Sequence, residues 1–143
     1  MPEVARKAGI DGYEICPPGV VEAELKAARA VKARLLCLGT PEYPALLADI
    51  SDAPPLLWAV GDISLLKRPS IAMVGARNCS SLGTRMARAL ATDLGAAGHV
   101  IVSGLARGID GAAHEGAFPH TIGVIASGIE IAYPPQHAAL QER

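Results

Sequence analysis

Two segments of this chain end in the same way. Ile71-Ala72-Met73-Val74 runs into Gly75-Ala76-Arg77, and Val100-Ile101-Val102 runs into Ser103-Gly104-Leu105-Ala106-Arg107-Gly108. Each is a short, continuous apolar stretch that stops at glycine, small residues and one arginine. Such a run, without in–out alternation, fits a strand covered on both faces in a parallel sheet. A helical pattern follows each. After the first, Ser80 or Ser81 supplies a cap for a helix reaching about Ala97. Leu82, Met86, Leu90 and Leu94 recur on one face of it, and Gly98 stands just past its end. Ile109–Phe118 reads as the second helix and Thr121–Ala126 as a third strand. Strand, helix, strand, helix, strand with short links means parallel βαβ units with right-handed crossovers. The expected fold is α/β, a Rossmann-like doubly wound, mostly parallel sheet. Only one mononucleotide-type half is visible before Tyr133-Pro134-Pro135-Gln136-His137 and a helical stub, so the sheet reads as truncated at the C-terminus.

Upstream of Pro69 the pattern differs. Met1–Gly9 reads as the tail of a helix, and Cys16-Pro17-Pro18-Gly19 as an irregular lead-in. Val20–Arg34 carries apolar positions near helical spacing. Leu35–Leu38 and Leu56–Val60 are short strands, with a turn or short helix at Tyr43-Pro44-Ala45-Leu46-Leu47 between them. We divide the chain into a lead-in and helix, residues 1–34, and a partial Rossmann-like domain, residues 35–143.

Bulk properties narrow the classes. Half of the 143 residues are apolar and 19% are charged, which is a globular composition. Cys16, Cys37 and Cys79 show no CxxC spacing, so reduced thiols in a cytoplasmic protein are expected, without a zinc site or disulfide framework. No secretion leader is read. No apolar run reaches the roughly 18–20 residues that a membrane span needs. The net charge is only −1, but its distribution is uneven. Residues 67–108 hold Lys67, Arg68, Arg77, Arg85, Arg88 and Arg107 against Asp93 alone, whereas each flanking segment carries a net −3. The basic block coincides with the two strand-to-loop turns and favours an anion there.

The turns themselves suit phosphates. Glycine lets backbone N–H groups approach a ligand, helix N-termini favour negative charge, and arginine makes a forked contact to phosphate. Open α/β sheets bind ligands beyond the C-terminal ends of their strands. The candidate contacts are Gly75, Arg77, Asn78 and Ser80 in the first turn, and Ser103, Gly104, Arg107 and Gly108 in the second. Neither turn is G-x-G-x-x-G, and no Gly-Lys-Ser/Thr marks a P-loop. Ser103 lacks the G-x-S-x-G setting of a hydrolase nucleophile, so no catalytic residue is assigned. The plainer alternative for each turn is structural, with an exposed arginine. Asp110 and His114 lie four apart on one helix with Glu115 next; a structural bond fits them better than a metal or a proton relay. His99, His120 and His137 are scattered and assigned no role, and Tyr133-Pro134-Pro135 reads as a rigid bend. No cofactor is expected.

In these motifs the chain resembles the DNA processing protein A family (DprA, also called Smf). The resemblance rests on Tyr43–Leu47, Pro54-Pro55-Leu56-Leu57, Val74–Arg77, Ser103–Asp110 with Ala113-His114, and Thr121 through Tyr133-Pro134. It implies an extended Rossmann-type domain that binds single-stranded DNA independently of sequence and protects incoming strands in natural transformation. It further implies help in loading the RecA recombinase, action as a cytoplasmic homodimer, and no catalytic reaction. The family's DNA-contacting arginine falls on Arg77, and its second motif on Ser103, Gly104 and Arg107. Ala76 stands where the family often has serine, which removes one hydroxyl. The family's later strands and much of its dimer surface have no counterpart before Arg143, so self-association is open. The rival expectation is a Rossmann-type nucleotide-binding enzyme resembling phosphoribohydrolases, but their Pro-Gly-Gly-x-Gly-Thr turn is missing.

Overall fold

In the computed structural model the described residues are 12, 14–129, 131, 132 and 134–142. The readings made for Met1–Gly9 and Tyr133 lie outside them.

Helix α1 (Pro18–Ala30) opens on two prolines, which a first helical turn tolerates because its amides lack partners anyway. It stops earlier than the spacing predicts. Lys32 turns left-handed at φ +57, and its amide and that of Ala33 close on the carbonyls of Arg29 (3.1 Å) and Ala28 (2.8 Å). This helix-ending geometry is usually announced by glycine, and here no glycine marks it. Strands β1 (Arg34–Cys37) and β2 (Leu56–Ala59) pair antiparallel as a separate two-stranded sheet. A short helix, α2 (Ala45–Ala48), lies between them. Buried Tyr43 donates its hydroxyl to Pro54 O at 2.6 Å, and the Trp58 indole donates to Glu24 Oε1 at 2.8 Å, tying β2 to α1.

The second sheet is parallel, in the order β3 (Ser70–Ala72), β4 (Val100–Ser103), β5 (Thr121–Gly123). Helices α3 (Ser81–Ala96) and α4 (Ile109–Ala117) make the two crossovers, giving the Rossmann-like βαβαβ unit. The ladders are shorter than the apolar runs. Met73 N still donates to Val102 O and Val124 N to Ser103 O, both at 2.9 Å, before the backbones part. Ser80 caps α3, accepting from Gly83 N at 3.1 Å, and Gly98 follows its end at φ +96.

The core of this unit consists of Ala91, Ile101, Ala113 and Ala117 with Ile71, Met73 and Leu94 packed around them. Both crossover helices therefore lie on one face of the sheet, and they meet it with alanine. The apolar stripe expected to mark the inner face of α3 needs correction. Leu82, Met86 and Leu90 are more than half exposed, and the buried side is Ala87, Ala91 and Gly95. The reason is the close approach of α3 to α4. A methyl group at Gly116 would collide with the Arg88 carbonyl, and Thr92 Oγ1 lies 2.9 Å from both the Arg88 and the Gly116 carbonyl oxygens. Large side chains cannot occupy that seam. The Arg88–Glu115 ion pair closes its rim, but it is half exposed and contributes little.

Gly116→Ala tests the seam. Alanine raises helix propensity, yet its methyl meets backbone that cannot swing aside, so the variant should lose about 1–3 kcal/mol. The urea midpoint, with an unchanged slope, reads this directly; an equal or higher midpoint means the helices are farther apart.

Candidate functional site

Because β3 and β4 run parallel, the chain leaves both at the same end. The two turns do more than lie side by side there. Ile109 N donates to Ala76 O at 3.2 Å. A methyl group on Gly108 (φ +82) would strike the Ala76 carbonyl and stand 2.7 Å from Arg77 O; one on Gly75 would stand 2.7 Å from Ile109 Cγ1. The two glycines let the turns close on each other. Arg77 and the Arg107–Gly108 segment thus belong to backbones in contact. Both arginines are exposed, and among the described residues neither has an ion-pair partner.

The same rim presents amides. Among the described residues, the N–H groups of Gly75, Ala76, Arg77, Leu105, Ala106 and Arg107 have no partner within the chain. Successive unpartnered amides on a curved backbone form a concavity of partial positive charge that suits an anion. Asn78 and Ser80 are exposed beside it, and Ser80, which accepts from Gly83 N, keeps a proton to donate.

Other residues hold the rim in shape. Gly104 is exposed, but its N–H is taken by Asp110 Oδ2 at 3.2 Å. Ser103 is buried, and its hydroxyl donates to Met73 O at 2.6 Å. That bond uses its single proton, so Ser103 ties β4 to the end of β3 and does not face the rim. Leu105 is buried with φ +56, where a Cβ costs roughly 1–2 kcal/mol. Its side chain lies where a Gly123 Cβ would be, so the absence of that atom leaves it room.

Behind the turn, Asp110 and His114 are buried in α4. Thr121 Oγ1 donates to Ile101 O at 2.8 Å, so its oxygen accepts from His114 Nδ1–H at 2.7 Å. That fixes the tautomer and leaves Nε2 buried without a partner among the described residues. Burial pushes the imidazole below its ordinary range, and the Asp110 carboxylate only partly opposes this. His114 is a neutral structural group. Among the described residues no three metal-ligating side chains gather.

Comparison with known proteins fits this geometry. The model of the DNA recombination-mediator protein A family matches residues 34–143. The chain belongs to that family. It is 44% identical over 107 residues to DNA processing protein DprA of Streptococcus pneumoniae, a match covering 70% of this chain and 36% of that protein. The X-ray structure of the pneumococcal protein superposes with a TM-score of 0.78 at 34% identity, covering 94% of this chain and 50% of the other. DNA processing protein A from Helicobacter pylori, described for its single-stranded DNA binding mode, superposes with a TM-score of 0.68 at 33% identity, covering 76% and 51%. The chain thus spans about a quarter to a half of the proteins it matches.

Of the eight residues singled out by sequence, Gly75, Arg77, Asn78, Ser80, Gly104 and Arg107 are exposed at the rim, Gly108 is wedged between the turns, and Ser103 is buried behind them. His137, which the sequence left without a role, lies 2.8 Å from Leu105 O through Nδ1. Nothing in its spacing announces this, because it comes from a separate turn, Pro135–His137.

The burial of His114 has a pH consequence. Its folded pKa is lowered from the ordinary value near 6.5, so the unfolded chain takes up a proton first as pH falls. The stabilising contribution is complete above about pH 6.5 and fades below it. Thermal midpoints should therefore fall from about pH 7.5 to about pH 5.5, and fall less steeply in His114→Asn. Equal slopes in the two proteins would assign the effect to other groups.

Proposed function

We propose that this rim binds the phosphate backbone of single-stranded DNA without regard to sequence, and that the chain handles incoming strands in natural transformation. The observation that carries the reading is the joining of the two turns, which sets Arg77, Arg107 and a run of unpartnered amides on one edge. Such an edge suits phosphates, and phosphate contacts position a nucleic acid without carrying sequence information. The chain has only five aromatic residues, which weighs against a groove of stacked rings. In this reading Arg77 and Arg107 neutralise phosphates, Gly75, Asn78, Ser80 and neighbouring amides fix the backbone, and Ser103, Gly104 and Gly108 hold the turns. Membership of the family, and the single-strand binding described for the Helicobacter pylori relative, support the same ligand. We extend the proposal to the family's wider role: protection of the strand and help in loading RecA, as a cytoplasmic homodimer, with no chemical step of its own.

Binding that releases counterions weakens steeply with salt. Labelled oligo-dT, a duplex and AMP, titrated at several salt concentrations, test the reading. Oligo-dT should bind best. Arg77→Ala and Arg107→Ala should each weaken it and lower the log–log salt slope by about one. An unchanged slope in both variants removes the arginines from the interface. Preference for AMP with turnover would replace the reading by a nucleotide-processing one.

A further inference from the structure

We propose that His137 is a positioning residue for the anion-binding turn, aiming the Ala106 N–H at the ligand through the Leu105 carbonyl. The inference deepens the DNA-binding reading and rests on it for its ligand. In a trans peptide unit the C=O and the following N–H point in opposite directions. Leu105 O and Ala106 N belong to one unit, and Ala106 O and Arg107 N to the next. Both carbonyls are held inward. Ala106 O accepts from Gly111 N at 3.1 Å, a bond made by the start of α4 itself. Leu105 O has His137 at 2.8 Å, and since a carbonyl only accepts, Nδ1–H is the donor. With both carbonyls inward, the N–H groups of Ala106 and Arg107 face out, and neither has a partner among the described residues.

The imidazole is seated for this task. Its turn, Pro135–His137, is closed by His137 N on Pro134 O at 2.9 Å. The ring rests on Gly111: a methyl there would stand 2.6 Å from Cε1 and 3.0 Å from Nε2. Leu105 is left-handed without being glycine, a conformation that persists only where its surroundings fix it. Asp110 on Gly104 N fixes one side, Gly123 receives the side chain, and His137 fixes the other peptide. Among the described residues His137 is the sole side chain bonded to the Leu105 carbonyl.

Two variants remove the contact by different routes. His137→Ala deletes the donor. Gly111→Ala keeps the histidine but displaces its ring. In each, oligo-dT affinity should fall about three- to tenfold, the loss expected when one hydrogen bond to a phosphate is misaimed and not removed. The salt slope should stay at the wild-type value, since no cation leaves the interface. His137→Asn, which retains an N–H donor, should recover part of the loss. Amide spectra without DNA give a second readout: the Leu105, Ala106 and Arg107 resonances should shift in both variants while those of α3 keep their positions. Unchanged resonances at 105–107 in His137→Ala, or unchanged oligo-dT affinity in both variants, overturns the proposal. If wild-type protein does not bind oligo-dT, the DNA reading fails, and the amide spectra alone decide whether His137 sets the turn.

Discussion

The contact between two loop backbones, Ala76-Arg77 against Gly108-Ile109, is the constraint on which the site depends. The bond from Ile109 N to Ala76 O joins the β3–α3 turn to the start of α4. It also explains which glycines are indispensable. Gly108 needs both its positive φ and the absence of a Cβ, because the Ala76 and Arg77 carbonyls occupy that volume. Gly75 must yield its place to the Ile109 side chain. The first N–H of α4 is taken by the chain itself, so it is not among the donors left for a ligand, which include the turn amides and the start of α3.

Strand-to-turn order was legible in the residues because each feature had a local cause. Apolar runs stopped at glycine, a serine stood where α3 needed a cap, and Gly98 followed its end. What could not be read was decided across the chain. The α3 stripe is the clearest instance: helical spacing identified the helix but pointed to the wrong face. Packing against α4 demands alanine and glycine, and this demand outweighs the burial of Leu82, Met86 and Leu90. A hydrophobic pattern shows that a helix has two sides. It does not show which side another backbone will approach within van der Waals distance.

The site divides along the same line. Arg77, Asn78 and Arg107, singled out by residue type and position after a strand, are exposed. The roles of the residues that shape the turn were not legible, because they depend on partners far along the chain. Ser103 looks like a ligand by chemistry, yet Met73, thirty positions earlier, takes its proton. His137 looks incidental, yet it meets a carbonyl thirty-two positions earlier. Lys32 shows the same limit at a helix end, where a left-handed lysine replaces the glycine that would have signalled the stop.

These internal partnerships bear on the kind of chemistry the rim can offer. Three polar groups near it are turned inward. The Ser103 proton goes to Met73 O, the Asp110 carboxylate accepts from Gly104 N, and His114 donates to Thr121. What remains outward is donors: guanidinium groups, backbone amides, the Asn78 side chain and the Ser80 hydroxyl. A surface of fixed donors can hold an anion whose oxygens accept along its whole length. In the proposed reading, donors spread over two turns meet successive phosphates of one strand. The long apolar edge of α3, the basic rim and the rigid glycine contact are in this sense one design. Small residues bring the elements together, and the two turn arginines lie where the turns meet solvent.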